Sequence, residues 1–190
     1  MSSDSIIEQM EKFKEDFYNR EGKNSFFKKT QKLDCAKKIS EVFNIEEALR
    51  KTIYNIPNTN KLVFDYNVFK FYANPNNYEI VVNYVIQNYD VILSKFQTIE
   101  ANIILDGFTI SAAERYKEAI KLFCAKCMNS TSKYSRLISQ MNIYYTPSMI
   151  DSISTILKPF IKTDVEINVS FFSKTESPEL LKLMFSGGVL

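Results

Sequence analysis

The chain is 190 residues long, enough for one full-sized core with an appendage and too short to demand two domains. Lys and Arg number 24 against 22 Asp and Glu, so no field is strong enough to hold nucleic acid by phosphate neutralisation alone. Histidine is absent, which removes the commonest general base, the Ser-His and Cys-His nucleophile pairs, and most zinc or iron sites.

Residues 4–20 carry Ile6, Ile7, Met10, Phe13 and Phe17 at helical spacing, and Gly22 breaks the pattern. A second helical region is predicted over 26–56, with Leu33, Ala36, Ile39 and Phe43, then Ala48, Leu49 and Ile53, on one side and a cap near Asn44. From Lys61 the stretch KLVFDYNVFKFYA, dense in Val, Phe and Tyr, predicts a strand or hairpin. Asn74-Pro75-Asn76-Asn77 is a turn into a helix over 78–96 that offers Ile80, Val81, Tyr84, Val85, Val91 and Ile92 for burial. ANIILDGF follows, a short apolar run without alternation that suits a central strand buried on both faces.

Ser111, with Glu114 three residues on, spells a capping box for a helix over 111–128. A brief strand at 141–145 comes next. Thr146-Pro147 then supplies a cap and first-turn proline for a helix ending at Phe160, and VEINVSFF is the last strand. Alternating strands and helices predict an α/β sandwich with a mostly parallel sheet, its crossovers right-handed. The division expected is a helical N-terminal region over 1–56 and an α/β domain over 57–190.

Asp106 stands at a strand's carboxyl end, where open α/β sheets gather their ligands. A phosphotransferase acid there would need a second carboxylate two residues on, and that position is Phe108. A phosphate cradle would need several glycines, and only Gly107 is present. The corner reading is preferred, with Gly107 in a conformation other residues avoid and Asp106 and Ser111 satisfying backbone groups. Cys124 and Cys127 sit near a helix end, where the dipole opposes a thiolate, and with Cys35 they lack a fourth zinc ligand. They read as packing cysteines, and no metal or cofactor is expected. With no secretory signal ahead of them, the three thiols suit a reducing, cytoplasmic setting.

No run of about 18 apolar residues is present, so no spanning helix is expected, while contact with a membrane surface stays open. Lys28, Lys29, Lys32, Lys37 and Lys38 follow Phe26 and Phe27; this set reads first as a solvated helix face and second as a seat on anionic headgroups. In PSMIDSISTILKPF, the residues Met149, Ile150, Ile153, Ile156, Leu157 and Phe160 form a continuous apolar stripe, opposite a face of mostly small, weakly charged residues.

In order, these pieces resemble the CRAL-TRIO lipid-binding domain family. NIILDGFTIS is similar to the family's strand and turn, and RYKEAIKLF to the helix after it. MNIYYTPSMIDSISTILKPFI resembles the strand, Asn-x-Pro segment and gate helix ending in Lys-Pro-Phe-Leu, here Lys158, Pro159, Phe160 and Ile161. SPELLKLMFSGGVL resembles the closing stretch with paired glycines, Gly187 and Gly188, and FNIEEALRKTI the short helix preceding the lipid domain. The likeness covers about 43–190. It departs where Asp106 directly precedes Gly107, where the Asn-x-Pro segment reads Tyr145-Thr146-Pro147, and in the short N-terminal bundle. No position matches the family's basic headgroup ligands.

The resemblance implies a CRAL-TRIO-like α/β sandwich with an apolar pocket on the sheet, closed by a mobile helix, and a hydrophobic ligand of the lipid class moved between membranes. An apolar pocket with few polar groups and no chemistry-bearing constellation agrees with such a ligand. The expected ligand-binding residues are Ile103 and Leu105 on the strand and Met149, Ile150, Ile153, Ile156 and Leu157 on the gate helix over 147–160. The chain is expected not to be an enzyme, to touch membranes peripherally and not to bind nucleic acid. The rival expectation is a protein-interaction module on the same fold, with a collapsed pocket, as in sulfate-transporter-and-antisigma-type domains.

Overall fold

The computed structural model describes residues 5–23, 26–157 and 168–187. Helix α1 (Ile6–Glu21) starts on a reciprocal cap: Ser5 Oγ accepts the Glu8 amide at 3.3 Å and the Glu8 carboxylate accepts the Ser5 amide at 2.7 Å. Helices α2 (Lys28–Val42) and α3 (Ile45–Thr52) part at Asn44, whose Oδ1 accepts the amides of Glu46 and Glu47. The helical region stops short of residue 56, because Ile53–Asn55 becomes strand β1 and pairs antiparallel with β2 (Lys61–Asp65).

The stretch expected as strand or hairpin is strand only as far as Asp65. There Asp65 Oδ1 accepts the Asn67 amide at 2.8 Å and starts helix α4 (Tyr66–Tyr72), which buries Tyr66, Phe69 and Tyr72 at three-residue spacing. The cap and this buried face override the strand preference of Val, Phe and Tyr. Helix α5 (Tyr78–Leu93) buries Tyr78, Val81, Val85, Tyr89 and Ile92, leaving Ile80 and Val91, expected in the core, exposed on the opposite face.

Strand β3 (Ile99–Ile104) leads to α6 (Ile110–Cys127), and a 3-10 turn at Tyr134–Arg136 precedes β4 (Ile138–Tyr144). The cap of α6 is Thr109 instead of Ser111. Thr109 has the extended backbone a cap needs, and its Oγ1 accepts the Ala112 amide at 3.3 Å, while Ser111 already lies inside the helix. Helix α7 (Ile150–Leu157) begins later than the proline signal predicts. Thr146 donates its hydroxyl back to the Ile143 carbonyl at 3.0 Å, and the Pro147 carbonyl accepts the Ile150 amide at 3.1 Å, closing a turn before the helix. Residues 158–160 of the expected helix and 165–167 of the expected last strand lie outside the described residues. Strand β5 (Asn168–Phe171) and helix α8 (Ser177–Phe185) complete the fold.

The five strands are ordered β1-β2-β3-β4-β5, with β2 to β5 parallel, so the protein is α/β with a mostly parallel sheet and β3 at its centre. Strand alternation divides the burial. Leu62, Ala101 and Met141, in register, join one continuous core with α1 to α6. Val63, Ile104 and Tyr144 face the other way and pack under Leu181 and Met184 of α8. Because Ile6, Met10 and Phe17 share the first core with Ile99 and Ala101, α1 is part of the same hydrophobic body as the sheet.

Candidate functional site

Asp106 is exposed just beyond β3, and Gly107 beside it has a φ of +70°, the left-handed conformation that glycine adopts without strain. The Phe108 amide donates to the Leu105 carbonyl at 2.9 Å and tightens this corner. All three thiols are buried. Burial pushes Cys35 and Cys124 up to about 11 and Cys127 to about 12, so none is poised as a thiolate. Among the described residues no group of His, Cys, Asp and Glu could hold a metal ion. None of their helices is long and apolar enough to cross a membrane.

The expected ligand residues fall into two sets. Ile103, in β3, and Leu105, expected on the strand but one residue past its end, are half-buried and pack into the main core, to which α6 contributes Ala112, Tyr116 and Ala119. Helix α7 packs along α6. Over 150–155 it buries Ile153 and half-buries Ile150, while Met149, expected on the gate helix, lies just ahead of it and is exposed. Ile156 and Leu157 are in the helix, but their side chains lie outside the described residues. Both sets therefore meet structure built on α6. The segment entering α7 is held by Tyr145, whose φ is +54° and whose amide donates to Ser177 Oγ at 2.7 Å. A tyrosine in this left-handed region is strained.

A second place stands out at the carboxyl ends of β2 and β3. A cleft of about 940 Å³ lies between the α1–α2 pair, the first turns of α4, and the Gly107–Thr109 corner leading into α6. Lys14, Lys23, Lys28, Lys32, Lys70 and Arg115 line it, against one lining carboxylate, Glu15. Among the described residues only Lys14 of these cations has a carboxylate within ion-pair distance, Glu11 at 3.5 Å. Burial, then Arg115, Lys28 and Lys14, pulls Lys32 below the usual lysine range. Burial and Lys14 do the same to Lys70, opposed by Asp106, Asp65 and Glu11. Arg115 stacks over the Tyr116 ring at 5.3 Å, and its Nε is buried without a hydrogen-bond partner. Tyr66 and Ile39 give the cleft an apolar side.

Lys28 and Lys32 belong to the basic set noted in the sequence, but the rest of the cleft was missed, because Lys14, Lys70 and Arg115 come from three other helices. One signal was present. Lys28 and Lys32 precede Cys35 and Ile39 on the same face of α2, so they carry its buried stripe out to the cleft rim, where both stay exposed. Lys37 and Lys38 instead make surface pairs with Glu41 and Glu21. No protein-family model matches the chain, and no curated protein matches it in sequence.

Proposed function

We propose that this protein binds a hydrophobic ligand of the lipid class without transforming it, with the apolar stripe of α7 as the movable wall of the pocket, and that it passes the ligand between membranes. The observation that carries the reading is the shallow seating of α7. Across 150–155 only Ile153 is buried and Ile150 half-buried, so lifting this part of the helix exposes between one and two aliphatic side chains, roughly 2–4 kcal/mol, within reach of thermal opening. The strained Tyr145 at its entry supports a hinge there, since strain in the closed form lowers the work of opening. The order of segments resembling the CRAL-TRIO family adds weight.

A second reading, a protein-interaction module, has its own support. The core under α4 to α6 is filled by the chain's own rings: Tyr66, Phe69, Tyr72, Tyr78 and Tyr116 meet edge to face at centroid distances of 4.9 to 6.4 Å. A packed interior of this kind leaves an interaction module nothing to load. Fluorescent phospholipid offered in vesicles separates the two. Saturable uptake that Ile153→Asp abolishes supports lipid binding, and absence of uptake by the native chain supports the module.

A further inference from the structure

We propose that the cleft between α1, α2, α4 and the amino end of α6 is a binding site for a phosphate-bearing anion, distinct from the α7 pocket and independent of the lipid reading. Six cationic side chains line one volume with a single carboxylate among its lining, and although Glu11 pairs with Lys14 and Asp65 and Asp106 act on Lys70, the cleft keeps a net positive charge. Such an arrangement is stabilised when an anion enters, and a phosphate ester suits it better than a carboxylate, because it presents three oxygens and up to two charges.

The parts are complementary. Arg115 presents a planar fork held over Tyr116, with its Nε unpartnered, and a guanidinium fork matches two phosphate oxygens. Lys28 and Lys32 approach from α2 and Lys14 from α1, so a bound anion is clamped between separate elements. Gly107 and Thr109 set the start of the 18-residue α6 against the cleft, adding the helix's partial positive charge. The position beyond the carboxyl ends of adjacent parallel strands is where open α/β sheets gather ligands. Lys32 and Lys70, both held below the usual lysine range by burial and neighbouring cations, accord with this concentration of positive charge. At about 940 Å³ the cleft exceeds a lone phosphate ion, and its Tyr66 and Ile39 side can cover an organic part of the ligand.

Two sources share this chemistry, a soluble phosphate ester and a phospholipid headgroup, and the test has an arm for each. Calorimetry with tripolyphosphate reads the first. Sedimentation with phosphatidylcholine vesicles, with and without phosphatidate, reads the second. Binding in either arm is expected to weaken about tenfold or more in Lys32→Gln and in Arg115→Gln, the size of a lost charge-assisted contact. Lys121→Gln, on the exposed side of α6 beside Glu118, should leave it unchanged. Thermal melts establish that each variant is folded. Tripolyphosphate binding that these variants weaken assigns a soluble ligand, and phosphatidate-dependent sedimentation that they weaken, without tripolyphosphate binding, assigns a headgroup. No binding in either arm, or equal binding by folded wild type, Lys32→Gln and Arg115→Gln, overturns the proposal. A lipid-free organic extract bears on the α7 pocket alone and leaves this result standing.

Discussion

Tyr144 donates its hydroxyl to Oδ1 of Asn102 at 3.2 Å, diagonally across the two central strands, and Asn102 is fully buried. The same Oδ1 accepts from Asn142 Nδ2 at 3.0 Å, and Asn102 Nδ2 donates to the carbonyls of Glu100 and Leu62 at 3.3 and 3.5 Å. Asn142 in turn donates to the Glu100 carboxylate at 3.0 Å and accepts from Gln140, which also reaches Ser170. A polar ladder thus crosses the sheet on the face that α8 covers in part.

Breaking the ladder at its buried member should be costly, because each orphaned partner keeps its desolvation penalty. Asn102→Ala is expected to lower stability by about 1–3 kcal/mol and Tyr144→Phe by about 1 kcal/mol, as measured by urea unfolding. Unchanged midpoints in both would show that the ladder carries no net stability.

The corner after β3 gives a contrasting pair. Asp106 is exposed, so Asp106→Asn should change stability by less than about 0.5 kcal/mol and leave ligand binding intact. Gly107→Ala meets no atom within 4 Å, so its penalty is conformational alone, about 1 kcal/mol for a left-handed alanine. Loss of ligand binding in the Asp106 variant would restore that carboxylate as a functional group.

Alkaline behaviour follows from the thiols. Burial raises Cys35 and Cys124 from 9.0 to about 11 and Cys127 to about 12. A folded value above the unfolded one means stability that is fully present below 9.0 and lost as pH rises through 11 and 12. Tyr66 and Tyr144, pushed by burial to about 12, act in the same direction. Lys32 and Lys70 oppose them, because their folded penalty is relieved as pH rises. The melting temperature should therefore fall steeply through 11, and at neutral pH iodoacetamide should modify all three thiols only after unfolding. Rapid modification of the native protein would contradict the burial assigned to them.

Much of this fold was legible because its signals were local. Asn44 as a cap, the turn at Asn74–Asn77 and the apolar run of β3 each follow from side-chain chemistry within a few residues. The errors have local causes too. At KLVFDYNVFKFYA, composition favoured a strand, while a single carboxylate, Asp65, capped a helix whose rings then found the core. At α6 two hydroxyls competed for the cap, and backbone conformation chose Thr109. Asn102 was hidden inside an apolar run, since its partners Asn142 and Tyr144 lie on a strand forty residues away. The cationic cleft was illegible for the same reason: no sequence window contains Lys14, Lys32, Lys70 and Arg115 together.

The seating of α7 is open to a direct probe. Ile153→Ala should leave far-ultraviolet circular dichroism close to native and speed amide exchange in α7 by about tenfold or more, since removing a buried isoleucine costs about 2–5 kcal/mol. Unchanged exchange would mean that contacts other than Ile153 hold the helix down.

The central claim, that the protein carries a lipid, is tested most directly by mass spectrometry of an organic-solvent extract of the purified native chain. The account predicts a lipid present in stoichiometric amount and missing from the extract of Ile153→Asp. An extract free of lipid, together with no uptake of fluorescent phospholipid from vesicles, would contradict it.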